Sequence, residues 1–86
     1  MKINKKDFVD AGSTIQMTPG EMVKALRELK EWTQLDLAEA TDISQANISA
    51  IENNRVEIGK QRSLVLAKAL SVHPASIMFA DYLDVA

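Results

Sequence analysis

The sequence predicts an all-α domain, and three observations carry that expectation. Beyond residue 18, apolar residues recur at spacings of three and four, as on one face of a helix. Residues that start helices (Thr18, Thr33 and Ser44) stand at the head of successive periodic stretches. No strand-rich region, internal repeat or low-complexity tract interrupts them. Five short helices with brief connections describe a small helical domain packed around one core.

Residues 1–18 are expected to form an N-terminal arm. They mix charges with Gly12, Ser13 and Thr14 and show no helical period. Thr14-Ile15-Gln16-Met17 alternates polar and apolar, which suits a short strand, but one strand alone is not stable. The arm is read either as flexible or as a segment that orders on a partner. The first helix opens at Thr18-Pro19: Thr18 caps it, Pro19 suits the first position, and Glu21 completes a capping box. Met22, Val23, Leu26 and Leu29 are expected on its inner face, to about Lys30.

Thr33 caps the second helix, with Asp36 three positions on. Leu37 and Ala38 face inward and Leu35 is partly exposed. The turn is Thr41-Asp42-Ile43. Ser44 caps the third helix, whose Ile48 and Ile51 point to the core and which runs to about Glu52. Asn53-Asn54 ends it, because Asn tolerates the left-handed conformation common there. Arg55 to Gly59 is a loop. A fourth helix follows from about Lys60 to Leu70, with Leu64, Leu66, Ala67 and Leu70 inward or at an interface. Pro74 starts a fifth, short helix that ends near Phe79 or Ala80. The helical domain is thus placed at 19–80. The tail at 81–86 continues an apolar C-terminal run (Ile77, Met78, Phe79, Tyr82, Leu83, Val85) expected to pack partly on its own core and partly across a dimer.

Composition limits the function classes. At 86 residues the chain makes one domain. It has no cysteine, which excludes disulfides and thiolate metal sites. No apolar stretch approaches the ~20 residues of a membrane span, and the start MKINKKDFVD lacks the apolar core of a secretory signal. A soluble cytoplasmic protein is expected. A single histidine, His73, and the lack of any phosphate loop or HExxH motif argue against an enzyme. No cofactor or metal is expected. His73 reads as a loop residue, Trp32 as a packing residue, and Glu52 as a structural acid paired with a first-helix base such as Arg27.

Residues 33–55, TQLDLAEATDISQANISAIENNR, are the most informative stretch. Two short helices joined by a tight turn, with polar side chains leading the second, are the sequence form of a helix-turn-helix, which lays its second helix in the major groove of DNA. The pattern Gln34, Leu37-Ala38, a turn, Ser44-Gln45, Ile48 and Ile51-Glu52-Asn53 resembles the Cro/cI-type, or XRE, family. The later Leu66-Ala67-x-Ala69-Leu70-x-Val72 and the helix after Pro74 extend the resemblance over roughly residues 20–80. It implies a five-helix, lambda-repressor-like DNA-binding domain.

Carried over residue by residue, the resemblance gives Gln34 to the DNA backbone and Ser44, Gln45, Ala46 and Asn47 to the bases. Ser49 lies further along the same side. Asn53 would touch phosphate, and Arg55, Lys60, Gln61 and Arg62 would supply backbone contacts from the loop and the fourth helix. The chemistry agrees: Gln45 and Asn47 carry the amides that pair with adenine N6 and N7, and the Ala46 methyl suits a thymine methyl. Asp42 stands where the family often has Gly, and Asn54 where a Gly usually follows the third helix.

The function implied is a homodimeric, sequence-specific repressor of double-stranded DNA on a palindromic operator, autoregulatory in the usual case. Small members include HigA-type antitoxins, which bind a ribonuclease toxin and repress their own operon; the acidic chain and its arm would suit that partner. Net charge is -2, and residues 33–62 carry only Arg55, Lys60 and Arg62 against Asp36, Glu39, Asp42, Glu52 and Glu57. Weak nonspecific DNA affinity is therefore expected.

Overall fold

The helix starts written into the sequence are where the computed structural model places them; it describes residues 17–82, the Tyr82 side chain apart. The elements are α1 (Pro19–Leu29), α2 (Gln34–Thr41), α3 (Gln45–Glu52), α4 (Gly59–Leu70) and α5 (Pro74–Met78), then a 3-10 turn at Ala80–Tyr82. All are helical, as the periodicity demands. The proposed arm, apart from Met17 and Thr18, and the tail beyond Tyr82 lie outside the described residues.

Local chemistry explains each start. Thr18 Oγ1 accepts from the Glu21 amide at 3.1 Å, and the Glu21 carboxylate accepts from the Thr18 amide at 3.0 Å. Thr33 and Asp36 repeat this reciprocal box at 3.0 and 2.8 Å. Ser44 Oγ accepts from the Asn47 amide at 3.1 Å. Each cap satisfies amides that the first helical turn leaves without a partner. At α5 the His73 Nδ1 accepts from the Ala75 amide at 3.0 Å, so this loop histidine serves as the cap.

The ends share a device. A non-glycine residue in the left-handed conformation follows each of the first four helices: Glu31, Asp42, Asn54 and Ser71, with φ between 60° and 62°. After α1, α3 and α4 the next amide reaches back five residues: Trp32 to Arg27 O (3.2 Å), Arg55 to Ala50 O (2.9 Å) and Val72 to Ala67 O (3.0 Å). These bonds close the orphan carbonyls and turn the chain sharply.

Val23, Leu37, Ile48, Ile51, Leu66 and Ile77 are fully buried, with Ala38, Ala67 and Leu70 beside them. Burial of side chains this large stabilises by roughly 1.5–3 kcal/mol each. Helix α1 packs on α3 and α5, α2 on α3 and α4, and α4 on α5. Leu29 corrects the sequence reading, since it is 79% exposed. It lies about 120° round the helix from Val23, and Arg27, one turn after Val23, takes the inner position instead. Leu64 also faces outward, while Leu66, Ala67 and Leu70 point in. Helix α5 stops at Met78, a residue short of the expected end, and the 3-10 turn buries Ala80 in its place.

Candidate nucleic-acid interface

The turn between α2 and α3 is short because three groups close it. Asp42 takes the left-handed position at φ 62°. Buried Thr41 donates its hydroxyl to Leu37 O at 2.7 Å and accepts from the Ile43 amide at 3.3 Å. Ser44 then starts α3. Ile48 and Ile51 hold one side of α3 in the core, so the opposite side must face solvent. Gln45, Ala46 and Asn47 stand exposed, and Ser49 is half-buried. Ser44 spends an acceptor site on its cap and keeps its hydroxyl hydrogen to donate, so capping and contact are compatible.

Gln34 opens α2 and is half-buried. Asn53 is exposed, but its Nδ2 is turned back to Ser49 O at 2.9 Å, along α3 rather than ahead of it. Arg55 and Lys60 come together on the walls of a groove of about 580 Å³, between the start of α1 and the loop at 54–60. Gln61 is exposed beside them and Arg62 half-buried. Helix α4 begins at Gly59 without a side-chain cap, so its first amides stay available next to those bases. The residues expected at bases thus stand together at the leading end of α3, whereas Gln34 meets Glu52 at its far end and Arg55 follows that end.

Behind this surface lies a buried pair. Arg27 Nε donates to Glu52 Oε2 at 2.7 Å and Nη2 to Oε1 at 3.0 Å, while Nη1 donates to Trp32 O at 2.7 Å. The Glu52 hydrogen bond holds the Arg27 pKa above its ordinary value; burial opposes this, and the charges of Glu52 and Glu28 add to it. A raised arginine pKa adds stability below the unfolded-state value that is lost only above the folded one, so the guanidinium keeps its charge throughout the neutral range. The sequence expectation of a Glu52 partner on the first helix is met by Arg27. The local charge count changes accordingly, because Glu52 is cancelled inside the protein. Trp32 packs against the core and carries the Lys30 ammonium 5.0 Å from its ring centre.

Gly20 was not singled out by the sequence reading. A Cβ there would run into Ile51 O and stand 2.6 Å from Asn54 Oδ1, so α1 can approach the end of α3 only with glycine at this point. A glycine inside the first turn of an otherwise well-capped helix was the available signal, since Ala is better there by roughly 1 kcal/mol unless space forbids it.

A helix-turn-helix family model matches residues 23–77, and the chain belongs to that family. Within it the chain is of the Cro/cI, or XRE, type. It is similar to the P22 c2 repressor in complex with a synthetic operator: 28% identity, TM-score 0.67, over 71% of this chain and 92% of that one. The DNA-binding domain of the P22 c2 repressor in solution is 26% identical with TM-score 0.70, over 74% of this chain and 84% of that one. The clp gene regulator ClgR from C. glutamicum is 25% identical with TM-score 0.68, over 74% and 83%. No curated protein matches the chain. No helix among the described residues is long and apolar enough to cross a membrane.

Proposed function

We propose that this protein is a sequence-specific DNA-binding transcriptional repressor of the cytoplasm that acts as a homodimer on a palindromic operator, its own promoter included. The observation that carries the reading is the exposed row Gln45, Ala46 and Asn47 at the leading end of α3. Gln34, Arg55, Lys60, Gln61 and Arg62 would add contacts to the DNA backbone. Gln45 and Asn47 read adenine edges, the Ala46 methyl meets a thymine methyl, and Ser44 and Ser49 add donors. The similarity to a repressor in complex with an operator supports DNA as the partner here.

A recognition helix of 8 residues gives one protomer limited contact. Two-fold pairing doubles it and places half-sites about one helical turn apart. Leu64 and Phe79, 45% and 46% exposed, offer apolar surface for that pairing. A monomer at micromolar concentration in sedimentation would overturn the dimer. With Glu52 cancelled, Arg55, Lys60 and Arg62 face Asp36, Glu39, Asp42 and Glu57 over residues 33–62. The salt dependence should therefore be shallow, at most roughly three in log–log slope per protomer.

The test is fluorescence anisotropy on DNA upstream of the protein's own gene, across a salt series, with Gln45→Ala beside the parent. Specific binding lost in Gln45→Ala with little change in salt slope is the expected result. No binding of either protein at low salt would overturn the reading.

A further inference from the structure

The Glu52 carboxylate has a third contact. Its Oε1, already accepting from Arg27 Nη2, also accepts from Gln34 Nε2 at 3.1 Å. One acid thus ties the last turn of α1, the end of α3 and the first residue of α2. An ionised carboxylate can only accept, so the contact dictates which end of the Gln34 amide faces inward: the nitrogen. One of the two N–H groups on that nitrogen is used and the other remains to donate. Gln45 and Gln61 differ, since both are exposed and neither makes a side-chain hydrogen bond with the described residues.

We infer that Glu52 is a positioning residue for DNA binding. It fixes the Gln34 amide before DNA arrives, so that the second Nε2 hydrogen is oriented for a backbone phosphate. Arg27 is the other half of the device. An acid near that phosphate would repel it, and the guanidinium cancels the charge in place at 2.7 Å. Glu52 itself, 5% exposed, touches no DNA. Holding a long side chain in its bound orientation beforehand is worth roughly two- to tenfold in affinity. The inference rests on the reading of Gln34 as a backbone contact.

The test uses the full 86-residue protein and separates the two claims. In the DNA-free protein, NMR of the side-chain amides should show Gln34 ordered and Gln45 and Gln61 mobile, with Gln34 released in Arg27→Met/Glu52→Leu, which removes the acceptor and leaves no buried charge. A Gln34 amide as mobile as that of Gln45 overturns the inference without any variant having to fold. Duplex DNA enriched from a randomised pool then serves for a cycle, with chemical denaturation as the folding control. Gln34→Met should weaken binding by roughly two- to tenfold in the parent and clearly less in the Arg27→Met/Glu52→Leu background. Equal losses in both backgrounds overturn the inference. An ordered Gln34 in a protein that binds no duplex overturns the DNA reading, and the phosphate role with it.

Discussion

The α1–α3 half and the α4–α5 half of this molecule are held by different means. In the first, three helices start on hydroxyl caps, and Arg27, Glu52 and Gln34 tie all three together through charged hydrogen bonds. In the second, α4 starts on Ile58 with no side-chain cap, and Leu66, Ala67, Leu70 and Ile77 supply apolar packing. Apolar contact is non-directional and tolerates small rotations. Hydrogen bonds with fixed donors and acceptors do not. The directional interactions are concentrated where α2 and α3 must hold one mutual angle, which is the half that presents the side chains proposed to read DNA.

Breaking the polar tie should give the largest effect. Glu52→Ala leaves Arg27, 9% exposed, buried without its counter-ion. Removing one member of a buried pair costs about 3–5 kcal/mol, a large share of what a domain this size possesses. Urea denaturation of Glu52→Ala beside Arg27→Met/Glu52→Leu sharpens the comparison. The double variant should recover much of the loss, because it leaves no buried charge. A single variant as stable as the parent would show that the half is held by packing alone.

Gly20→Ala tests the contact between α1 and the end of α3 without touching a charge. The added methyl meets the Ile51 carbonyl, which is backbone and cannot swing away. The expected loss is roughly 1–3 kcal/mol, the usual range for overpacking, read from the denaturation midpoint. An unchanged midpoint would mean that the two helices slide past each other with ease. Ser44→Ala is smaller, at about 1 kcal/mol for a lost cap. It should also weaken DNA binding beyond the change in folded fraction, since the same hydroxyl leads α3. Loss of stability with affinity intact would confine Ser44 to capping.

Much of this was legible in the sequence, and the exceptions have physical causes. The caps at Thr18, Thr33 and Ser44 announce themselves because side chain and backbone partner are three residues apart. The pairing of Glu52 with Arg27 could be anticipated, since a core-facing acid on α3 needs a base on whichever helix packs there. The attachment of Gln34 to that pair could not, because it depends on how three helices meet. Leu29 misled because Met22 and Leu29 share one edge of α1, and helical spacing alone does not say which edge is covered. Asp42 and Asn54 could be read as helix ends, as both types visit the left-handed region. Glu31 and Ser71 carry no such signal, and tertiary packing imposes their φ of 60° and 62°.

That last difference yields the smallest effect and a test in the opposite direction. A left-handed backbone costs an ordinary L-residue roughly 1–2 kcal/mol. Glycine avoids this but loses about 0.5–1 kcal/mol more chain entropy on folding. Ser71→Gly should therefore stabilise the protein by the difference, roughly 0.5–1 kcal/mol. Ser71 is exposed and its side chain makes no hydrogen bond with the described residues, so little else is lost. Asn54→Gly should gain less, since asparagine already tolerates the region and its Oδ1 sits against Gly20. Thermal melts of the two variants decide the matter. A gain at Ser71 larger than at Asn54 would place avoidable strain in the α4–α5 half, where packing outweighs it. The reverse order would mean that Asn54, at the end of the proposed recognition helix, is the strained residue.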